Sequence, residues 1–80
     1  MAWVYLLRCA DGTLYCGWTV DVDQRLQSHN AGRASRYTRT RLPVELAWSC
    51  EQPDRTAARR EEARIKALDR AAKLALIAAG

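Results

Sequence analysis

The chain has 80 residues, 49% of them hydrophobic and 28% charged, with two prolines and four glycines, a composition that excludes disordered and collagen-like chains. That length predicts one small domain spanning residues 1–80, with a net charge of +4. The longest apolar run, Leu74 to Ala79, is too short to cross a membrane, and the N-terminus lacks the layout of a signal peptide, so no membrane association is expected. Cys9, Cys16 and Cys50 match neither a zinc spacing nor a paired framework, which points to a reducing, cytoplasmic compartment.

Taken in chain order, residues 3 to 9 and 13 to 20 are rich in aromatic and β-branched types and flank Ala10-Asp11-Gly12, a β-hairpin signal. The length of the connection fixes the faces. A two-residue turn would pair Tyr5 with Trp18 and send Tyr15 to the opposite face, whereas a three-residue loop pairs Tyr5 with Gly17 and sets both hydroxyls on one face. Gly12 suits the left-handed position of the longer loop, so an odd-length loop is predicted.

Asp21 caps a helix over about 22 to 30, with Gln24 three residues on and Gly32 as its stop. Residues 24 to 44 then carry five arginines (Arg25, Arg33, Arg36, Arg39, Arg41) and His29 without a single Asp or Glu. The stretch from 31 to 42 has no period and is predicted to be a loop ending at Pro43. A third strand follows over 44 to 50, then a helix opening at Pro53-Asp54 and a last helix capped by Asp69. The fold class is therefore α/β in the α+β sense: a small three-stranded sheet flanked by helices, in the order β-β-α-β-α-α.

Several polar residues need more than a structural explanation. Glu61 stands at helical spacing from Ala57, Ile65 and Leu68, which puts its carboxylate on the stripe expected to face the core. A metal ion, an arginine or a polar cleft must meet it there, because an unpaired buried carboxylate costs several kcal/mol. Arg25 and His29, four apart, project from one helix face, near Tyr5 and Tyr15 on the preceding strands. Two phenols, a guanidinium, an imidazole and a carboxylate are the groups that hold a phosphodiester, a divalent cation and an attacking water.

Trp3-Val4-Tyr5 and Tyr15-Cys16-Gly17, followed by Arg25-Leu26-Gln27-Ser28-His29-Asn30, resemble the signature of the GIY-YIG nuclease superfamily, with Trp3 in place of its Gly and Cys16 in place of its Ile. The likeness covers nearly the whole chain and is strongest to the small stand-alone bacterial YhbQ-like branch. It extends to the catalytic domain of UvrC and to the nuclease subunits of structure-specific endonucleases.

The resemblance implies a hydrolase: a metal-dependent endonuclease that cleaves phosphodiester bonds in nucleic acid, DNA ahead of RNA, selects substrates by structure and serves DNA repair or processing. It implies one Mg²⁺ or Mn²⁺ on Glu61, the scissile phosphate on Arg25, and a water oriented or deprotonated by Tyr15, Tyr5 or His29. Gly17 would permit close approach at the site. Arg33, Arg36, Arg39 and Arg41 would bind phosphates, with Tyr37 stacking on a base. A protein partner would supply further substrate specificity. The competing readings are a catalytically silent nucleic-acid-binding module and a protein-interaction domain in which Glu61 only closes a salt bridge.

Overall fold

A computed structural model describes residues 1–80. Three strands, β1 (Ala2–Arg8), β2 (Leu14–Thr19) and β3 (Glu45–Gln52), form an antiparallel sheet in the order β2-β1-β3. β1 is central and the most apolar, and both its faces are covered. Ala2, Val4 and Leu6 join Cys16 in one core beneath α3 (Arg55–Lys66) and α4 (Arg70–Ala79), through Ala58, Ile65, Leu76 and Ile77. Tyr5, Leu7 and Cys9 form the other core with Val44, Leu42 and Leu26, the last from α1 (Val22–Asn30).

The hairpin is closed by Cys9 N–H donating to the Thr13 carbonyl and Gly12 N–H donating to the Cys9 carbonyl, both at 2.9 Å. This leaves Ala10, Asp11 and Gly12 as the loop, with Gly12 at φ +85°. Each long helix starts where a carboxylate satisfies an unpaired N–H: Asp21 for Gln24, Asp54 for Ala57 and Asp69 for Ala72, at 2.8–3.0 Å.

The strand limits differ from the sequence reading by one or two residues, and one element is new. The segment expected as a plain loop contains a four-residue helix, α2 (Arg36–Arg39), capped by the Ser35 hydroxyl, and β3 runs on to Gln52. No helix is long and apolar enough to cross a membrane.

Candidate active site at the edge of the sheet

β1 and β2 pair Tyr5 with Gly17 and Leu7 with Tyr15, so Tyr5, Tyr15 and Gly17 share the sheet face that α1 covers, as an odd-length loop requires. The absent side chain of Gly17 makes room for Tyr5 to lie across the edge strand: a Cβ there would stand 2.6 Å from Tyr5 Cζ. The Tyr5 hydroxyl meets His29 Nε2 at 3.0 Å, and His29 Nδ1 meets Thr38 Oγ1, on α2, at 2.8 Å. Thr38 donates its own hydrogen to the Ser35 carbonyl, which assigns the His29 proton to Nδ1 and leaves Nε2 to accept from Tyr5. All three side chains are at most 2% exposed.

Burial first, and the neighbouring Tyr15 second, hold the Tyr5 phenol far above its usual range, so Tyr5 stays protonated as a donor to His29. Burial first, and the Arg25 cation second, push His29 down, which keeps the ring neutral. Both His29 nitrogens are thereby engaged, one by Tyr5 and one by Thr38. Tyr15 packs beside them. Its ring meets His29 edge-on at 5.2 Å and stacks on Tyr37 at 5.8 Å.

The depressed His29 carries a pH consequence. The unfolded chain takes up a proton near pH 6.5 that the folded chain refuses, so stability present above that pH is lost as pH falls below it. One proton limits the slope to about 1.4 kcal/mol per pH unit. Urea midpoints measured from pH 7.5 to 5 are expected to fall more steeply for wild type than for His29→Gln; identical slopes would rule this linkage out.

Arg25, one helical turn before His29, is exposed and forms no ion pair. It lines an open cavity of about 380 Å³ together with Thr19, Gln24, Ser28 and Arg33. The other predicted phosphate contacts divide. Arg36 and Arg39 are exposed and unpaired, whereas Arg41 is built into the fold, donating to Asp11 Oδ2 at 3.1 Å and to the Tyr37 carbonyl at 2.8 Å. The Arg41 guanidinium also lies 4.0 Å over the Tyr37 ring, so that ring already stacks within the protein.

On α3 the sequence reading and the geometry part by one residue. Glu61 gives both carboxylate oxygens to Arg64, at 2.6 and 3.0 Å, and this pair holds its carboxyl below the usual range. Glu62 stands on the row of Ala58 and Ile65, the two wholly buried residues of α3. Its backbone carbonyl receives Cys16 Sγ at 3.9 Å, and its only ion pair is a 3.6 Å approach from Lys66. The Glu62 charge acts on Tyr5 and also on the Cys16 thiol, which burial, the larger cause, pushes up to about 11.

No cluster of three or more His, Cys, Asp or Glu side chains exists in the chain. A hard cation held by one carboxylate, waters and substrate phosphate needs no such cluster, and Glu62, met only by the 3.6 Å approach of Lys66, is the less engaged of the two carboxylates. Thr38 and Glu62 are the residues that sequence reasoning passed over. Ser35, a capping residue three positions before Thr38, was the available signal for the first.

The chain is similar to proteins across bacteria and archaea. It is 50% identical to a UPF0213 protein of Streptococcus sanguinis over 76 residues, covering 95% of this chain and 87% of that one. Over 73 residues it is 48% identical to a UPF0213 protein of Halobacterium salinarum, covering 91% and 95%. The solution structure of a UPF0213 protein from Bacillus halodurans superposes with a TM-score of 0.62 at 39% identity, over 98% of this chain and 84% of that one. It shares the three-stranded antiparallel sheet flanked by helices. The model of the GIY-YIG catalytic domain matches residues 1–75, and the chain belongs to the GIY-YIG nuclease-domain family.

Proposed function

We propose that this protein is a metal-dependent endonuclease that hydrolyses phosphodiester bonds in DNA rather than RNA, selects its target by structure, and serves repair or DNA processing in the cytoplasm as a single domain, with a protein partner refining its substrate choice. The observation that carries this reading is the Tyr5–His29 bond, with Tyr15 packed edge-on against the same imidazole and the unpaired Arg25 one helical turn before it.

Arg25 binds two oxygens of the scissile phosphate through its planar fork and offsets the charge that develops there. Tyr15 Oη accepts a hydrogen bond from the attacking water and fixes its direction. Tyr5 and His29 are positioning residues: their bond, continued to Thr38, holds α1 and α2 against the strand and so fixes Arg25 relative to Tyr15. Glu62 would hold Mg²⁺ or Mn²⁺. When bound, such an ion polarises a phosphoryl oxygen and stabilises the departing oxygen.

The test is cleavage of labelled flapped, branched, single-stranded and duplex DNA and RNA with Mg²⁺, Mn²⁺ or EDTA. Metal-dependent cleavage of DNA, lost in folded Arg25→Ala, is the expected result. Salt-sensitive binding without cleavage under either metal would instead identify a binding module.

A further inference from the structure

Two cavities meet at the C-terminal end of β2. The one of about 380 Å³ that holds Arg25 and Arg33 shares Thr19, Val20 and Arg25 with a second of about 330 Å³, which adds Trp18 and Arg55. They form one groove with Arg33 at one end, Arg55 at the other and Arg25 between. The groove wraps round the sheet edge, because Thr19 belongs to the α1 face and Trp18 packs against the core on the α3 face.

Arg25, Arg33 and Arg55 have no acidic partner, whereas Arg8, Arg41 and Arg64 are each paired. Unpaired guanidiniums lining a concave surface are suited to successive phosphates. Trp18, half-buried against the core, turns its remaining surface to the same groove. An indole beside a basic track offers a stacking surface to a base, and only an unpaired base can present its face to it.

We infer that this groove seats a strand with unpaired nucleotides: Arg25 on one phosphate, Arg33 and Arg55 on the phosphates either side of it, and Trp18 beneath a base. The inference rests on the nuclease reading only for naming the phosphate at Arg25 as the scissile one.

Oligothymidylate titrated into the protein in EDTA, where cleavage is prevented, reads the groove through tryptophan fluorescence. Wild type is expected to be quenched, Trp18→Phe to lose most of that quenching, and Trp3→Phe and Trp48→Phe to keep it. Trp18→Leu is expected to weaken binding about tenfold. The slope of log affinity against log salt should fall by about 0.7 in Arg55→Ala, the release expected for one single-strand phosphate contact. In Arg8→Ala, which removes the same charge from a residue paired with Glu45, the slope should not change.

Quenching that survives Trp18→Phe, equal slopes in Arg55→Ala and Arg8→Ala, or duplex that competes as well as single strand would each overturn the inference. If wild type cleaves with metal under any of those outcomes, the groove alone is wrong. If it binds as inferred but cleaves nothing, the groove stands and the nuclease reading falls.

Discussion

Gly17→Ala is expected to destabilise the fold by about 2–4 kcal/mol and to abolish cleavage. The new methyl carbon would stand 2.6 Å from Tyr5 Cζ, a separation that side-chain carbons do not adopt, so the ring or the strand must move. Tyr5 has nowhere to go, since it is 2% exposed, packed with Leu7 and Val44, and bonded to His29. Displacing it leaves His29 Nε2 buried without its donor, which adds a desolvation cost of about 1–3 kcal/mol to the overpacking. Urea unfolding measures the loss directly. The double variant Tyr5→Leu with Gly17→Ala should lose less than the sum of the singles, because removing the ring removes the clash. An unchanged midpoint in Gly17→Ala would mean that Tyr5 does not lie across β2.

The second large effect separates two adjacent carboxylates. Glu62→Gln is expected to lower the cleavage rate by two or more orders of magnitude while the fold persists, and Glu61→Gln to leave it within a few-fold. Glu62 shares the Ala58–Ile65 row and its backbone carbonyl meets Cys16, whereas Glu61 is engaged by Arg64. The Glu61–Arg64 pair is a surface contact, so its loss should cost under about 1 kcal/mol. Rates measured with saturating Mn²⁺, with thermal midpoints alongside, test both halves. A dead Glu61→Gln beside an active Glu62→Gln would reverse the assignment.

That one-residue difference shows where sequence stops informing. In the sequence the phase of α3 rests on Ala57, Ile65 and Leu68, but Leu68 lies past the end of the helix, and alanine stands at both 57 and 58. Either alanine satisfies the apolar pattern, and one residue is about 100° of rotation, enough to exchange Glu61 for Glu62 at the inner face. The hairpin was legible because its signals agree: alternation fixes the faces, and Gly12 in the left-handed region fixes the loop length. The helix starts were legible too, since Asp21, Asp54 and Asp69 each mark an N-cap.

The short α2 was not legible, because four residues carry no period, and with it went the role of Thr38. His29 and Arg41 show a further limit. Their residue types suit catalysis and phosphate binding, and only tertiary partners reveal that His29 is enclosed by Tyr5 and Thr38 and that Arg41 ties α2 to Asp11.

The most direct test of the central claim is the single-turnover cleavage rate of wild type and Arg25→Ala on the best-cleaved DNA, in Mg²⁺ and in EDTA. Arg25 is exposed and unpaired, so its loss should leave the melting temperature unchanged while it removes a donor aimed at developing phosphate charge. Such donors contribute about a hundred- to a thousandfold in rate. A loss of that size is expected with Mg²⁺, and no cleavage by either protein in EDTA. Equal rates for the two proteins, or a folded wild type that cleaves nothing with metal, would contradict the claim.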